Sequence, residues 1–320
     1  MLSRVADSLY WMSRYLERAE HAARLIDVHL NLMLDQSSIS GEQRWRRVLQ
    51  CLSTATIQNP PTDTQAVMDL LMFKPGKGHS IVSCIGLARE NSRQVREQIS
   101  SEMWEQLNRL FHEVKRPEVE PFWDSKPVEF LHSVREKAHL FQGVTDSTMS
   151  HGEGWQFIQL GRFIERASST ATLLDIHFSA MPQISDEDPD LDEHLEWIGL
   201  LKSCTAFEAY CKVYTAEVNP TRVAEFLLLN AEFPHSLRFA IDMVHSALVA
   251  IGTASPARKA DRAQNLTGRM RASLTFAQID ELLAGGLHGY LEGIQRECVQ
   301  IHSAIHQIYI NYPIQSALEA

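Results

Sequence analysis

Glycine and proline are scarce, at 15 and 12 of 320 residues. That excludes collagen-like and linker-dominated chains. Cysteine is scarcer still. Cys51, Cys84, Cys204, Cys211 and Cys298 make an odd number with no Cys-x-x-Cys spacing, which excludes a disulfide framework and reads as reduced thiols in a cytoplasmic protein. No apolar run reaches the roughly 18 residues of a membrane span. The segment Met1–Asp7 is amphipathic and lacks the continuous apolar stretch of a signal peptide. Basic residues are in deficit, 30 Lys and Arg against 40 Asp and Glu, for a net charge of −10. A general nucleic-acid binder is therefore not expected. Seven acidic residues fall between Asp186 and Glu196. They read as a solvated loop running into a helix start, where the dipole favours them, with an acidic docking loop as the other reading.

What the chain does contain is self-similarity. Met12–Leu30 and Leu160–Phe178 align at an offset of 148 with eight of nineteen positions identical. The identities are Arg14/Arg162, Glu17/Glu165, Arg18/Arg166, Ala19/Ala167, Ala23/Ala171, Leu25/Leu173, Asp27/Asp175 and His29/His177. Weaker matches follow at slightly larger offsets: Trp45 with Trp197, and His79-Ser80-Ile81 with His235-Ser236-Leu237. A repeat near 150 residues is too long for a solenoid unit. It predicts two similar halves, residues 1–145 and 146–320, related by a pseudo-two-fold within one compact unit. The turn-rich segment Gln142–Gly154 would divide them.

Both repeated segments are helical by pattern. Val5, Leu9, Met12, Leu16, Ala19, Ala23, Ile26, Leu30 and Met33 recur in alternating steps of four and three, the seam of a helix bundle. Phe157, Leu160, Ile164, Ala167, Ala171, Leu174, Phe178 and Met181 repeat it. The rest of the chain reads as further helices, including one long helix over 81–113 capped by Ser80 and another over 191–216. Nothing alternates like a strand. The predicted class is all-α, a multi-helix bundle.

Arg14, Glu17 and Arg18 stand at i, i+3 and i+4, so Glu17 can bridge back to Arg14 within its helix, with His21 one turn on. Arg162, Glu165 and Arg166 repeat the set. Exposed ion pairs contribute only about 0–1 kcal/mol, so a surface pair has little reason to be kept in both copies. Two readings remain. One is a partly buried network that holds helices in register. The other is a charged cleft that binds an anionic or peptide-like ligand through Arg forks.

Other candidates carry less. Glu129, His132, Glu136 and His139 form two Glu-x-x-His motifs, but on one helix, whereas di-metal carboxylate sites draw them from different helices. Glu232–His235 is a further match interrupted by Pro234. No metal site or cofactor is expected from them. Lys74–Ser80 is a glycine-rich basic loop without Walker spacing. Arg258, Lys259, Arg262, Arg269 and Arg271 make a basic stretch without interleaved aromatics, a docking edge or plain surface before a nucleic-acid site. His151, Glu153 and Trp155 open the second Glu-Arg helix, either as a capped start or as a ligand-facing elbow. No nucleophile–base arrangement is legible.

Tyr15-Leu16-Glu17-Arg18-Ala19 and Phe163-Ile164-Glu165-Arg166-Ala167, together with Ala88-Arg89-Glu90-Asn91-Ser92-Arg93 and Gly152-Glu153-Gly154-Trp155, resemble the bacterial alpha-E family, over nearly the whole chain. The Lys74–Ser80 loop is more basic than that pattern. The resemblance implies an all-helical protein encoded beside a circularly permuted ATP-grasp ligase, often with a transglutaminase-like peptidase and sometimes a proteasome-related one. It implies a role in ATP-dependent amide-bond formation, in peptide synthesis or tagging. It also makes Arg89, Glu90, Arg93 and Arg96 candidates for a wall of the same cleft, beside their plain reading as a solvated face. The expected function is a helical accessory or scaffold for the ligase, with the Glu/Arg cleft as substrate or partner site. The alternatives are an enzyme with acid–base or transfer chemistry of its own at that cleft and, more weakly, a helical carboxylate metalloprotein.

Overall fold

The computed structural model describes residues 1–34, 39–52, 61–76, 80–115, 127–180, 191–215, 217–254 and 261–310. Every regular element among them is helical. In chain order these are α1 (Ser3–Leu32), α2 (Gly41–Cys51), α3 (Thr64–Met72), α4 (Ile81–Gln94), α5 (Ser101–Val114), α6 (Pro127–Thr148) and α7 (Glu153–Ala180). There follow α8 (Leu191–Ser203), α9 (Phe207–Tyr214), α10 (Pro220–Leu229), α11 (Leu237–Ala254), α12 (Asp261–Phe276), α13 (Ile279–Ala284) and α14 (Leu287–Ile305), which ends in a π-turn over His306–Ile310. Side-chain caps start several of them. The Ser40, Asp63, Ser80, Ser100 and Asn219 side chains each accept a backbone N–H from the first helical turn, satisfying donors that would otherwise be orphaned.

The two repeated segments become the central helices. α1 and α7 lie against each other, α4 and α6 flank α1, and α11 and α14 flank α7. α5 joins α4 to α6, and α12 joins α11 to α14. α2 reaches across to α7, and α8 reaches across to α1. Leu9, Met12, Leu16, Ala19, Ala23 and Ile26 of the α1 seam are buried, as are Phe157, Leu160, Ile164, Ala167, Ala171, Leu174 and Phe178 of α7. Trp45 and Trp197, paired in the repeat, are both in the core.

Two long helices expected from the pattern are each broken. The 81–113 stretch ends α4 at Gln94, turns through 95–98, and restarts at Ser100, whose hydroxyl accepts from the Met103 amide. Val95 and Ile99 stay buried, so the apolar periodicity runs on through the turn. The 191–216 stretch breaks after Ser203. There the Thr205 amide donates to the Lys202 carbonyl and the Ala206 amide to the Leu201 carbonyl. That is a Schellman ending with Thr205 at φ +50° in the position glycine usually fills. A β-branched residue in that region is strained. In the other direction, α6 runs on to Thr148, through half of the segment expected to divide two halves.

α11 is long and apolar enough to cross a membrane by length and composition, although no continuous apolar run is apparent in the sequence. Its buried residues, Leu237, Ala240, Ile241, Val244, Ala247, Leu248 and Ile251, recur at helical spacing, and the helix packs on α7 and α12. Asp186–Asp190, Lys77–His79, Arg258 and Lys259 lie outside the described residues.

Candidate functional site

α1 and α7 cross closely because Gly161 faces α1. A Cβ built on Gly161 would stand 2.2 Å from the Tyr10 carbonyl oxygen and 2.3 Å from the Ser13 Oγ. Within about one helical turn of this crossing the two Glu-Arg sets meet. They do not pair as the i, i+3 spacing suggests. Each carboxylate leaves its own helix and takes the guanidiniums of the other.

Glu17 Oε1 accepts from Arg166 Nε at 2.6 Å, and Oε2 from Arg166 Nη2 at 3.0 Å, a bidentate fork. Arg162 Nε lies 3.8 Å from Glu17 Oε2. Reciprocally, Glu165 Oε2 accepts from Arg14 Nε at 2.7 Å, and Oε1 from Arg18 Nε at 2.6 Å. Glu17 is 2% exposed, Glu165 5% and Arg166 4%. Neighbouring helices complete the shell. From α6, Gln142 donates to Glu17 Oε2 and accepts from Arg162 Nη2. From the α10–α11 connection, the Pro234 carbonyl accepts from Arg166 Nη1. From α14, His302 Nδ1 lies 2.8 Å from the Tyr10 hydroxyl and 3.0 Å from Arg14 Nη1, while the Arg14 guanidinium sits 4.6 Å over the Trp11 ring.

A second buried set continues down α1. Arg24 Nη1 donates to Glu20 Oε1 at 2.6 Å, and Arg24 Nε to the Ser203 carbonyl. Farther along, Glu196 of α8 takes Arg44 at 2.5 Å and Arg47 at 3.0 Å. His21, between the two sets on α1, is buried, and its Nε2 has no hydrogen-bond partner among the described residues.

These surroundings set the protonation states. Burial by itself would raise the Glu165 carboxyl, but the Arg14 and Arg18 guanidiniums outweigh it and hold it at about 2. Burial opposes Arg24 and His139 at Glu20 in the same way, and the cations again win, at about 2. Burial, reinforced by Arg24, pushes His21 down to about 4. Burial with Arg47 pushes His177 down to about 3. Burial, reinforced by Arg166, lowers Arg162 to about 10. Burial lifts the thiols of Cys51, Cys84, Cys204 and Cys298 to about 12, far from the thiolate form a nucleophile needs.

The depressed values make a pH prediction. Between the ordinary histidine value of 6.5 and about 3 to 4, the unfolded chain takes up protons that folded His21 and His177 refuse. Between 4.5 and about 2 the same holds for Glu20 and Glu165. In both windows the unfolded state binds more protons, so stability falls as pH falls. The melting midpoint should decline from pH 6.5 downward and more steeply below 4.5. A midpoint that stays flat down to pH 3 would contradict these assignments.

Of the residues singled out from sequence, Arg14, Glu17, Arg18, Arg162, Glu165 and Arg166 are brought together. The others sit with different partners. Arg89 donates to Asn108 Oδ1 and lies over the Phe111 and Trp104 rings, so it holds α5 to α4, and Arg96 in the turn between them lies over Trp104. Glu90 and Arg93 pair on the surface of α4. At the α6–α7 turn, His151 stacks on Trp155, whose Nε1 donates to Asp146 Oδ1, and Glu153 Oε2 accepts from the Met1 amine. His132 pairs with Glu136 on an exposed face of α6, and His139 reaches Glu20. Sequence reading missed Tyr10, Gln142, Gly161 and His302. Gln142 lay in a stretch read as a divider, and the Tyr10–His302 contact joins positions that no spacing rule connects.

The two carboxylates face different surroundings. On the Glu17 side, α6 closes over the pairs and leaves a cavity of about 20 Å³ beside Gln142, Gln159 and Arg162, room for about one water. On the Glu165 side a pocket of about 230 Å³ opens between α1, α7, the end of α2 and α4.

A family described as "a predicted alpha-helical domain with a conserved ER motif" matches residues 1–310. Uncharacterized proteins of Mycobacterium bovis and of two Mycobacterium tuberculosis strains are 23% identical over 327 aligned residues. The alignment covers 95% of this chain but 36% of each relative, so the chain spans about a third of the length of those proteins. No solved structure matches the chain.

Proposed function

The chain belongs to the Alpha-E family, and from that premise we propose that it is a helical accessory module of an ATP-grasp amide ligase, in peptide synthesis or tagging. It presents a rigid cytoplasmic surface, with the Glu/Arg cleft as a site for substrate or partner, and performs no bond-making step alone. A circularly permuted ATP-grasp ligase is the proposed partner, and a transglutaminase-like peptidase a second one.

The observation that carries the reading is the reciprocal pairing of Glu17 and Glu165 with each other's arginines inside the α1–α7 contact. A general base works best with a pKa near the working pH. Glu165 is held at about 2 and is therefore a weak base. The geometry favours locking two helices over moving protons. The length of the relatives fits a module, since there the same helical unit occupies about a third of a longer chain. We also propose that the two Glu-Arg helices descend from one duplicated unit. The matched neighbours support this, with α4 and α6 on α1 where α11 and α14 lie on α7.

The test uses the purified chain, alone and co-expressed with the ligase. Alone, it should release no ADP from ATP and form no amide from amino acids. With the ligase it should co-elute and raise the rate of amide formation. Turnover by the chain alone would overturn the reading, as would a ligase indifferent to its presence.

A further inference from the structure

The pocket on the Glu165 side has a built, polar wall that the helix-locking role does not require. Arg14 and Arg18 lie along it, with Glu165 between them. Ser168, Ser169 and Thr172 continue the α7 side, and His21 completes the α1 side. Two guanidiniums face one carboxylate, which leaves one net positive charge at the wall. The Arg18 side chain is 31% exposed, against 7% for the Glu165 it binds, so the charge reaches the opening. By contrast, Arg166 on the closed side is 4% exposed.

We propose that this pocket binds a small monoanionic carboxylate of amino-acid size. Arg14 and Arg18 would face the carboxylate, and Ser168, Ser169 and Thr172 would meet its remaining polar groups. The inference rests on reading the Glu/Arg cleft as a binding site and is independent of the ligase.

Two features select the class. The volume, about 230 Å³, lies below the roughly 300–1,000 Å³ of pockets for drug-sized ligands. That size favours a ligand smaller than a drug-sized molecule. The single excess positive charge suits a monoanion better than a phosphate dianion, because an ion without a matching countercharge pays desolvation that is not recovered. Arg14 and Arg18 remain cationic under all ordinary conditions because Glu165 offsets the penalty of their burial.

Binding is measured by calorimetry on the intact chain with propionate, L-lactate, L-glutamate and inorganic phosphate, at constant ionic strength. At least one of the three carboxylates should bind saturably, at one site, and more tightly than phosphate. Arg18→Gln should weaken it about tenfold or more, the loss expected for a charge-assisted contact. Ser168→Phe, which fills the pocket from a partly exposed position outside the ion pairs, should abolish binding while leaving the melting midpoint close to the parent's. Three results would overturn the proposal: no saturable binding by any carboxylate, phosphate binding more tightly than all three, or binding that survives Ser168→Phe. A chain that binds lactate or propionate but ignores the ligase would sink the accessory role and leave this site standing.

Discussion

Gly161→Ala should be among the most damaging single changes available to this protein, although it adds one methyl group. The added Cβ would sit 2.2 Å from a backbone carbonyl oxygen of α1 and 2.3 Å from the Ser13 hydroxyl. A flexible side chain can swing away from such a contact. A carbonyl inside a helix cannot move without its helix. α1 and α7 would have to separate by most of an ångström along the face where Glu17 and Glu165 reach across. Overpacking commonly costs about 1–3 kcal/mol and sometimes more, and here the separation would also lengthen four charge-assisted hydrogen bonds. The expected loss is therefore at the upper end, about 3 kcal/mol or greater, read as a fall in the urea midpoint. Gly143→Ala on α6 is the control. Its Cβ meets nothing within 4 Å, so replacing a helical glycine there should stabilise by about 0.5–1 kcal/mol. If the two substitutions shift the midpoint alike, the close crossing is not what the structure describes.

Glu17→Gln should be the second severe change, and worse than Glu165→Gln. Removing one partner of a buried ion pair costs about 3–5 kcal/mol, because the other charge is left desolvated and uncompensated. Glu17 is the carboxylate that compensates Arg166, whose side chain is 4% exposed, and it is the nearest acid to Arg162 at 3.8 Å. Loss of Glu165 strands Arg14 and Arg18, but Arg18 is 31% exposed and water can take up part of the deficit. Replacing both members at once, as Glu17→Met with Arg166→Met, should cost clearly less than the two single losses added together. A buried pair exchanged for apolar side chains of similar size is often near neutral. Chemical denaturation of the two singles and the double closes the cycle. Additive losses would mean that Glu17 and Arg166 do not act on each other. Two small losses would mean that the pair is screened by solvent.

The ranking depends on partners, and partners were the least legible part of the chain. The i, i+3 and i+4 spacing of Arg14, Glu17 and Arg18 puts them on one flank and invites pairing within the helix. That pairing is not formed. A second helix carrying the same three residues crosses at Gly161, and each acid finds the other helix's bases closer and better aligned. Spacing states which side chains share a face. It does not state what the face meets. The same limit explains the broken helices. The stretches 81–113 and 191–216 keep their apolar period across the breaks at 95–99 and 204–206, because Val95, Ile99, Cys204 and Ala206 are themselves buried. Periodicity records burial, and burial is indifferent to whether the backbone between two buried residues is a helix or a tight turn.

From sequence alone the helical class was determined, along with the two seams that became α1 and α7 and the six charged residues that meet between them. These follow from local rules: a 3.5-residue apolar period, polar caps at helix starts, and a sequence match in which Arg14, Glu17 and Arg18 recur as Arg162, Glu165 and Arg166. Only the folded arrangement decided that the acids exchange bases across the crossing, that α6 seals one side while the other opens into a pocket, and that Tyr10, Gln142 and His302 join the network. The physical reason is distance along the chain. Contacts between residues 125 to 292 positions apart depend on how whole helices pack, and no short-range pattern encodes that.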